Sequence, residues 1–295
     1  MVTMFGLPLQ ALVGQLLLGL INGAFYAILS LGLAIIFGLL NVVNFAHGAF
    51  YMMGAFCAWM LLNYLGIGFW AALLLAPVSV GAIGIVLERL FISRLYRQDP
   101  LYGMLLTFGM ALIVQGLFRN QYGVSGLPYH IPPALSGGHN LGFMFLPNYR
   151  AFVIVFSAIV CLLTWFFIEK TRLGSYLRAA TEDASLTEAF GINVPLLVTL
   201  TYGFGVGLAA LAGVLAAPIT SVNPNMGADV IIVVFAVVVI GGMGSIMGSV
   251  VTGFGLGLVE GLTKVIYPSA ASTVIFLVMV LVLLARPASM SGKGV

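Results

Sequence analysis

Apolar stretches of about twenty residues recur along this chain of 295 residues, and that recurrence limits it to one class of fold. At about 1.5 Å of rise per residue, a helix of that length matches the roughly 30 Å hydrocarbon core of a bilayer. Composition agrees, since 62% of the residues are hydrophobic and 6% charged, against roughly 25% charged in ordinary soluble domains. The chain therefore reads as all-α, a polytopic transmembrane bundle in which backbone polar groups are satisfied inside helices. A net charge of +3, scattered along the sequence, gives no footprint for nucleic acid.

Residues 11–87 are almost unbroken apolar sequence, divided at 41–46 and 63–66 into three spanning pieces. The first piece, 11–40, is long for one upright helix; a tilt, a break at Gly32 or Gly38, or a re-entrant stretch would accommodate it. Further spans are expected near 100–118, 151–168, 194–217, 229–247, 249–266 and 269–285, about nine in all within a range of eight to ten. The whole chain, 1–295, is expected to form a single transmembrane domain. The first 40 residues carry no charge, so the basic n-region of a removable signal peptide is missing, and they read as part of the mature protein. Cys57 and Cys161 both sit in apolar runs and read as small core residues rather than a disulfide.

Lysine and arginine in short loops mark the cytoplasmic side. Arg89, Arg94 and Arg97 form one group, Lys170, Arg172 and Arg178 a second, and Arg286 with Lys293 a third, together eight of the 11 basic residues. Even numbers of expected spans separate these groups, so all three fall on one side, the C-terminus included. The loop at about 119–150, with Pro128, Pro132, Pro133 and Pro147, then faces outward.

Glycines recur at four-residue spacing: Gly203 and Gly207, Gly244 and Gly248, then Gly253, Gly257 and Gly261. Small residues so spaced let helix backbones approach closely in lipid, within one bundle or at a seam between two chains.

Catalysis needs a nucleophile, an acid and base pair or a metal cluster, and the few dispersed acids supply none. No metal ligand set is expected, because His47, His130 and His139 lack ligand spacing. His130 and His139 read as solvated loop residues. His47 closes a polar run with Asn41 and Asn44 between two spans, where each side chain must find a partner. These three, with Asn22 and Tyr51, are the candidates for lining the route of a polar solute; hydrogen bonding across the bundle is the alternative role. Glu260 and Lys264 form an i, i+4 pair that reads as mutual neutralisation, and Asp229 reads as a complement to a positive helix end. No phosphate-binding P-loop occurs, and Ser291-Gly292-Lys293-Gly294 lacks the strand and helix that one requires.

The only dense cluster of charge lies at about 170–194. Within it 181–190 predicts a short helix, with Glu182 and Asp183 in its first turn, Gly191 as its C-terminal cap and Pro195 opening the next span. Leu186, Ala189 and Phe190 share one face. Such a helix could rest at the membrane interface or dock in a groove of a soluble partner.

Three stretches resemble one family. The run at 19–56, with its Asn44-Phe45-Ala46-His47-Gly48 core, is similar to the most recognisable segment of the LivH type of permease from branched-chain amino acid ABC importers. The stretch at 178–193 resembles that family's cytoplasmic loop, and 241–261 its late glycine-rich segment. The tail departs from it, because 286–294 reads RPASMSGKG in place of a Gly-Leu-Phe-Gly ending.

The resemblance implies a multi-pass permease of the bacterial inner membrane, with the loop segment as a coupling helix for an ATPase. It implies coupling roles for Arg178, Glu182, Asp183, Leu186, Glu188, Phe190 and Gly191. It also implies a second, LivM-like permease, two ATPase subunits that hold the ATP and magnesium, and a periplasmic solute-binding protein; the chain itself would carry no cofactor. Branched-chain amino acids are the implied cargo, with urea, amides or organic acids as the alternative. The rival class is a self-sufficient secondary transporter or channel, against which the scarcity of intramembrane carboxylates argues.

Overall fold

A computed structural model describes residues 3–4, 7–40, 43–96, 98–140 and 145–285. Asn41, Arg97, Arg286 and Lys293 lie outside the described residues. Two short hairpins, β1 (Thr3–Met4) with β2 (Leu7–Pro8) and β3 (Gly138–Asn140) with β4 (Phe145–Pro147), accompany the helices. The helices are α1 (Leu9–Leu40), α2 (Ala46–Leu65), α3 (Phe69–Leu90), α4 (Pro100–Tyr122), α5 (Asn148–Lys170) and α6 (Arg172–Glu182). They continue as α7 (Ala184–Ala189), α8 (Val194–Thr220), α9 (Met226–Gly241), α10 (Ile246–Ile266) and α11 (Val274–Ala285).

Among the described residues, seven helices are long and apolar enough to cross a membrane: α1, α2, α3, α4, α5, α8 and α10. The other two expected spans are the shorter apolar helices α9, of 16 residues, and α11, of 12. At its length of about 24 Å, α9 falls short of a full hydrocarbon core. It also starts deep in the bundle, because Gly227 packs backbone to backbone against Gly48 in the first turn of α2. Neither break nor re-entrant stretch interrupts α1, which continues for 32 residues, about 48 Å. Gly32 and Gly38 serve packing instead: a Cβ on Gly32 would meet the Gly205 carbonyl oxygen at 2.7 Å, and one on Gly38 the Gly244 Cα at 3.1 Å.

Close glycine contacts set the bundle's order. Gly19, Gly23 and Ala27 of α1 run antiparallel against Gly261, Gly257 and Gly253 of α10, so this stripe is a seam inside the chain. Likewise α8 packs against α3 through Gly203 and Gly207, facing Gly81 and the Pro77 carbonyl, and against α2 through Ala210 and Gly213, facing Gly54 and the Tyr51 carbonyl. In lipid, where apolar surface gains little by leaving its surroundings, such close van der Waals packing carries helix association. Gly244 and Gly248 do not share a helix face as their spacing suggested. Gly244 lies in the turn between α9 and α10 at φ +83°, while Gly248 enters α10 against Gly241. Outward faces of α4 and α5 are leucine- and phenylalanine-rich, including Leu105, Leu117, Leu162 and Phe166, as a hydrocarbon solvent requires. Cys57 and Cys161 are both free thiols.

The charged segment differs from its expected form. Instead of one helix at 181–190 there are two, and Asp183 separates them in an extended conformation, φ −148° and ψ 101°. The physical reason is capping: the Asp183 carboxylate accepts from the Leu186 backbone N–H at 2.9 Å, starting α7, and cannot do so from within a helix's first turn. Glu182 therefore ends α6 rather than opening a helix.

Candidate functional site

Between α5 and α8 the charged segment is held by contacts at both of its ends. At the first end, Gly174 lets α6 fold back on α5 so closely that a Cβ there would overlap the Ile168 carbonyl oxygen, at 1.5 Å. Arg178 then reaches back from α6, donating from Nη1 to the Ile168 carbonyl at 3.2 Å and to the Glu169 carboxylate at 3.5 Å. The guanidinium thus satisfies an open carbonyl in the last turn of α5. Because both side chains are about half exposed, the ion pair itself contributes at most about 1 kcal/mol, and the carbonyl bond is the more specific tie.

Asp183 accepts from the Leu186 N–H and from the Ser185 hydroxyl, at 2.9 and 2.8 Å, and these bonds hold its carboxyl below the usual carboxylate range. Thr187 is buried and returns a bond to the Asp183 carbonyl at 2.7 Å. Gly191, at φ +85°, closes α7 in the left-handed region that side chains avoid. Leu186 and Phe190, by contrast, are 56% and 78% exposed, and Glu182 and Glu188 are exposed as well. Two large apolar side chains are thus held out on a short capped helix.

At the second end, Asn193 accepts from the Leu196 N–H at 3.0 Å and so caps α8 directly after the segment. One turn further, the Thr199 hydroxyl donates at 2.8 Å to Glu88, a carboxylate only 1% exposed at the end of α3. Tyr96 donates to the same carboxylate, and burial together with that bond pushes its hydroxyl pKa up. Glu88 went unnoticed in the sequence because it sits beside Arg89 in a run that reads as a basic loop. Its three-way tie needs Thr199, more than 100 residues away, to become visible. Removing the carboxylate takes away the acceptor of Tyr96 and leaves Thr199 only the Pro195 carbonyl, which cuts the tie from α3 to α8, so Glu88→Leu is expected to lower stability by about 1–3 kcal/mol. Thermal unfolding of the detergent-solubilised protein reads this, and an unchanged midpoint would contradict it.

The described residues considered for a polar route take part in separate hydrogen-bonded groups. Asn22 donates to Glu260 at 3.1 Å, Tyr26 donates to the other carboxylate oxygen at 2.9 Å, and Lys264 reaches Glu260 at 2.6 Å. Glu260 and Lys264 neutralise one another as expected, but within a four-residue cluster that ties α1 to α10. Elsewhere Asn44 bridges from the start of α2 to the Tyr202 hydroxyl at 3.0 Å and accepts from the Ala46 N–H. His47 is fully buried with Nε2 at 3.0 Å from the Leu29 carbonyl, and Nδ1 has no partner among the described residues. Tyr51 is 5% exposed. Asn22, Asn44 and His47 thus each make a hydrogen bond to another helix of the bundle.

On the opposite face, the loop following α4 is pinned by an antiparallel bridge between Leu127 and Val222, and Gln115 and Arg119 both donate to Asn225 at 3.0 and 2.8 Å. His139 lies in this loop, exposed and within 2.9 Å of Asn148; His130 is exposed as well. No group of three or more metal-ligating side chains occurs among the described residues.

Comparison with known proteins gives the arrangement a context. The profile of the family described as branched-chain amino acid transport system / permease component matches residues 15–284. The high-affinity branched-chain amino acid transport system permease protein LivH of Escherichia coli (strain K12) is 29% identical over 298 residues, covering 95% of each chain. A probable branched-chain amino acid transport permease protein LivH of Methanocaldococcus jannaschii is 28% identical, covering 90% of this chain and 88% of its own. LivM of Escherichia coli (strain K12) is 29% identical over 75% of this chain and 57% of its own.

Proposed function

Because the chain belongs to the family of branched-chain amino acid transport permease components, we propose that it is one membrane-spanning subunit of an ABC importer for such amino acids. It is a multi-pass inner-membrane transporter, not an enzyme. In this reading it pairs with a LivM-like permease, and two separate ATPase subunits bind ATP and magnesium. A periplasmic binding protein delivers the solute to the outer mouth between the permeases. The segment from Arg172 to Gly191 and the C-terminus face the cytoplasm.

One observation supports the energetic link above the others: Leu186 and Phe190 are held out of the bundle on a helix that follows α6, itself tied to α5 by Arg178, and that leads directly into the capped start of α8. An isolated apolar pair on a capped helix fits a groove on a partner. Closure of the ATPase pair can bias one bundle conformation over another only if the docked helix is mechanically joined to the spans. Gly174 and Arg178 join α6 to α5, the cap at Asn193 starts α8 directly after the segment, and Glu88 braces the first turns of α8 against α3.

Reconstitution tests the assignment. Proteoliposomes holding this chain with its companion permease and ATPase should accumulate labelled leucine only with ATP inside and binding protein outside. The chain alone should move none. Leucine flux through the chain alone, passive or driven by an ion gradient, would instead establish a secondary transporter or channel.

A further inference from the structure

A cavity of about 530 Å³ lies between α6 and the bundle, within the ~300–1,000 Å³ typical of small-molecule sites. Its walls come from parts that must move relative to one another if the segment transmits force: the end of α1, the end of α5, α6, and the turn between α9 and α10. The lining divides by chemistry. Ile35 and Phe37 of α1 and Met243 of the turn supply apolar surface, whereas Arg178, Glu169 and Glu182 supply charge.

Arg178 makes both of its bonds through Nη1. Its Nε and Nη2 donors have no protein partner among the described residues, which leaves one edge of the guanidinium fork able to take a carboxylate. Glu182 lines the cavity without a hydrogen-bond partner of its own among the described residues, and an ammonium group answers that vacancy. A carboxylate, an ammonium and an aliphatic side chain joined on one carbon describe an amino acid.

We propose that this cavity is a cytoplasm-facing site for a zwitterionic amino acid with an aliphatic side chain, and that its occupancy slows import by the same protein. This rests on the importer reading, since it makes the delivered product the ligand. A guest that touches both Arg178 and the end of α1 holds α6 at its present distance from the bundle. Any conformation that changes that distance binds the guest less well, so occupancy opposes the coupling stroke.

The test uses the complete complex, with both permeases and ATPases, in lipid nanodiscs that expose both faces. ATP hydrolysis is followed at saturating binding protein while leucine is raised to millimolar. Wild type should rise as the binding protein fills and then fall by at least about 5-fold, the low end of allosteric couplings. Met243→Glu sets a charge against the ligand's aliphatic side chain, and Met243→Trp fills the same apolar side. Met243 is a 60% exposed turn residue outside the coupling contacts, so both variants should keep the rise and lose the fall. Equilibrium binding of labelled leucine to the complex without binding protein should be present in wild type and lost in both variants. Absence of binding in wild type, or a fall that survives in both variants, overturns the proposal. Failure of the initial rise would count against the importer reading instead, and the direct-binding measurement would still decide the cavity's role.

Discussion

Replacing Leu186 and Phe190 together by glutamate is expected to abolish ATP-driven uptake while the permease still inserts and remains folded. Both side chains are outside the core, at 56% and 78% exposure, so their loss removes no internal packing. Apolar anchors in the centre of a partner groove cost about 2 kcal/mol or more apiece when removed, and two of them together weaken association by roughly a thousandfold. New carboxylates beside Glu182 and Glu188 add like-charge repulsion if the partner groove is desolvated. The expected result is a complex that no longer co-purifies with its ATPase, with unchanged helix content by circular dichroism and an unchanged gel-filtration profile of the permease alone. Normal co-purification and normal uptake by the double variant would remove α7 from the coupling path and return it to a resting place at the membrane surface.

The second large effect is expected at the seam between α1 and α10. A Cβ on Gly257 would sit 2.4 Å from the Gly19 carbonyl oxygen and from the Gly23 backbone, which cannot swing aside as a side chain could. Gly257→Leu must therefore push two helices apart along the contact that also carries the Asn22, Tyr26 and Glu260 bonds. Overpacking alone costs about 1–3 kcal/mol, and stretching the buried carboxylate from its partners adds about 1–3 kcal/mol more. The expected outcome is little or no folded protein at the membrane. Gly255→Leu, two residues away where nothing lies within 4 Å, is the matched control and should accumulate normally. Equal yields of the two variants, compared by fluorescence-detected gel filtration, would show that the seam tolerates separation.

Much of this molecule could be read before any coordinates, and the reason is its solvent. Hydrocarbon satisfies no backbone group, so a long apolar run has essentially one outcome, and run length pointed to all seven long helices, counting the shorter α9 and α11 as spans besides. Local chemistry was nearly as legible where it is confined to neighbours: Gly191 ends α7, and Glu260 pairs with Lys264 one turn away. Position 183 shows the limit of such reading. Asp183 fits a helix's first turn and a helix cap equally well by composition, and only the path of the backbone leaving α6 selects the cap.

Contacts distant in sequence were invisible for a different reason. Periodicity states that Gly253, Gly257 and Gly261 form a stripe, but not whether Gly19 and Gly23 or a second chain lies against it. Asn22 and Asn44 look alike as polar residues in apolar surroundings, yet one meets Glu260 and the other Tyr202, each across more than 150 residues of chain. The brace at Glu88 and the cavity under α6 belong to the same class, since each arises where several elements meet. Membrane burial and helical periodicity depend on one residue and its near neighbours, and so are written along the chain. Which helix faces which depends on backbones fitting to within an ångström, a property that exists only once the bundle has closed.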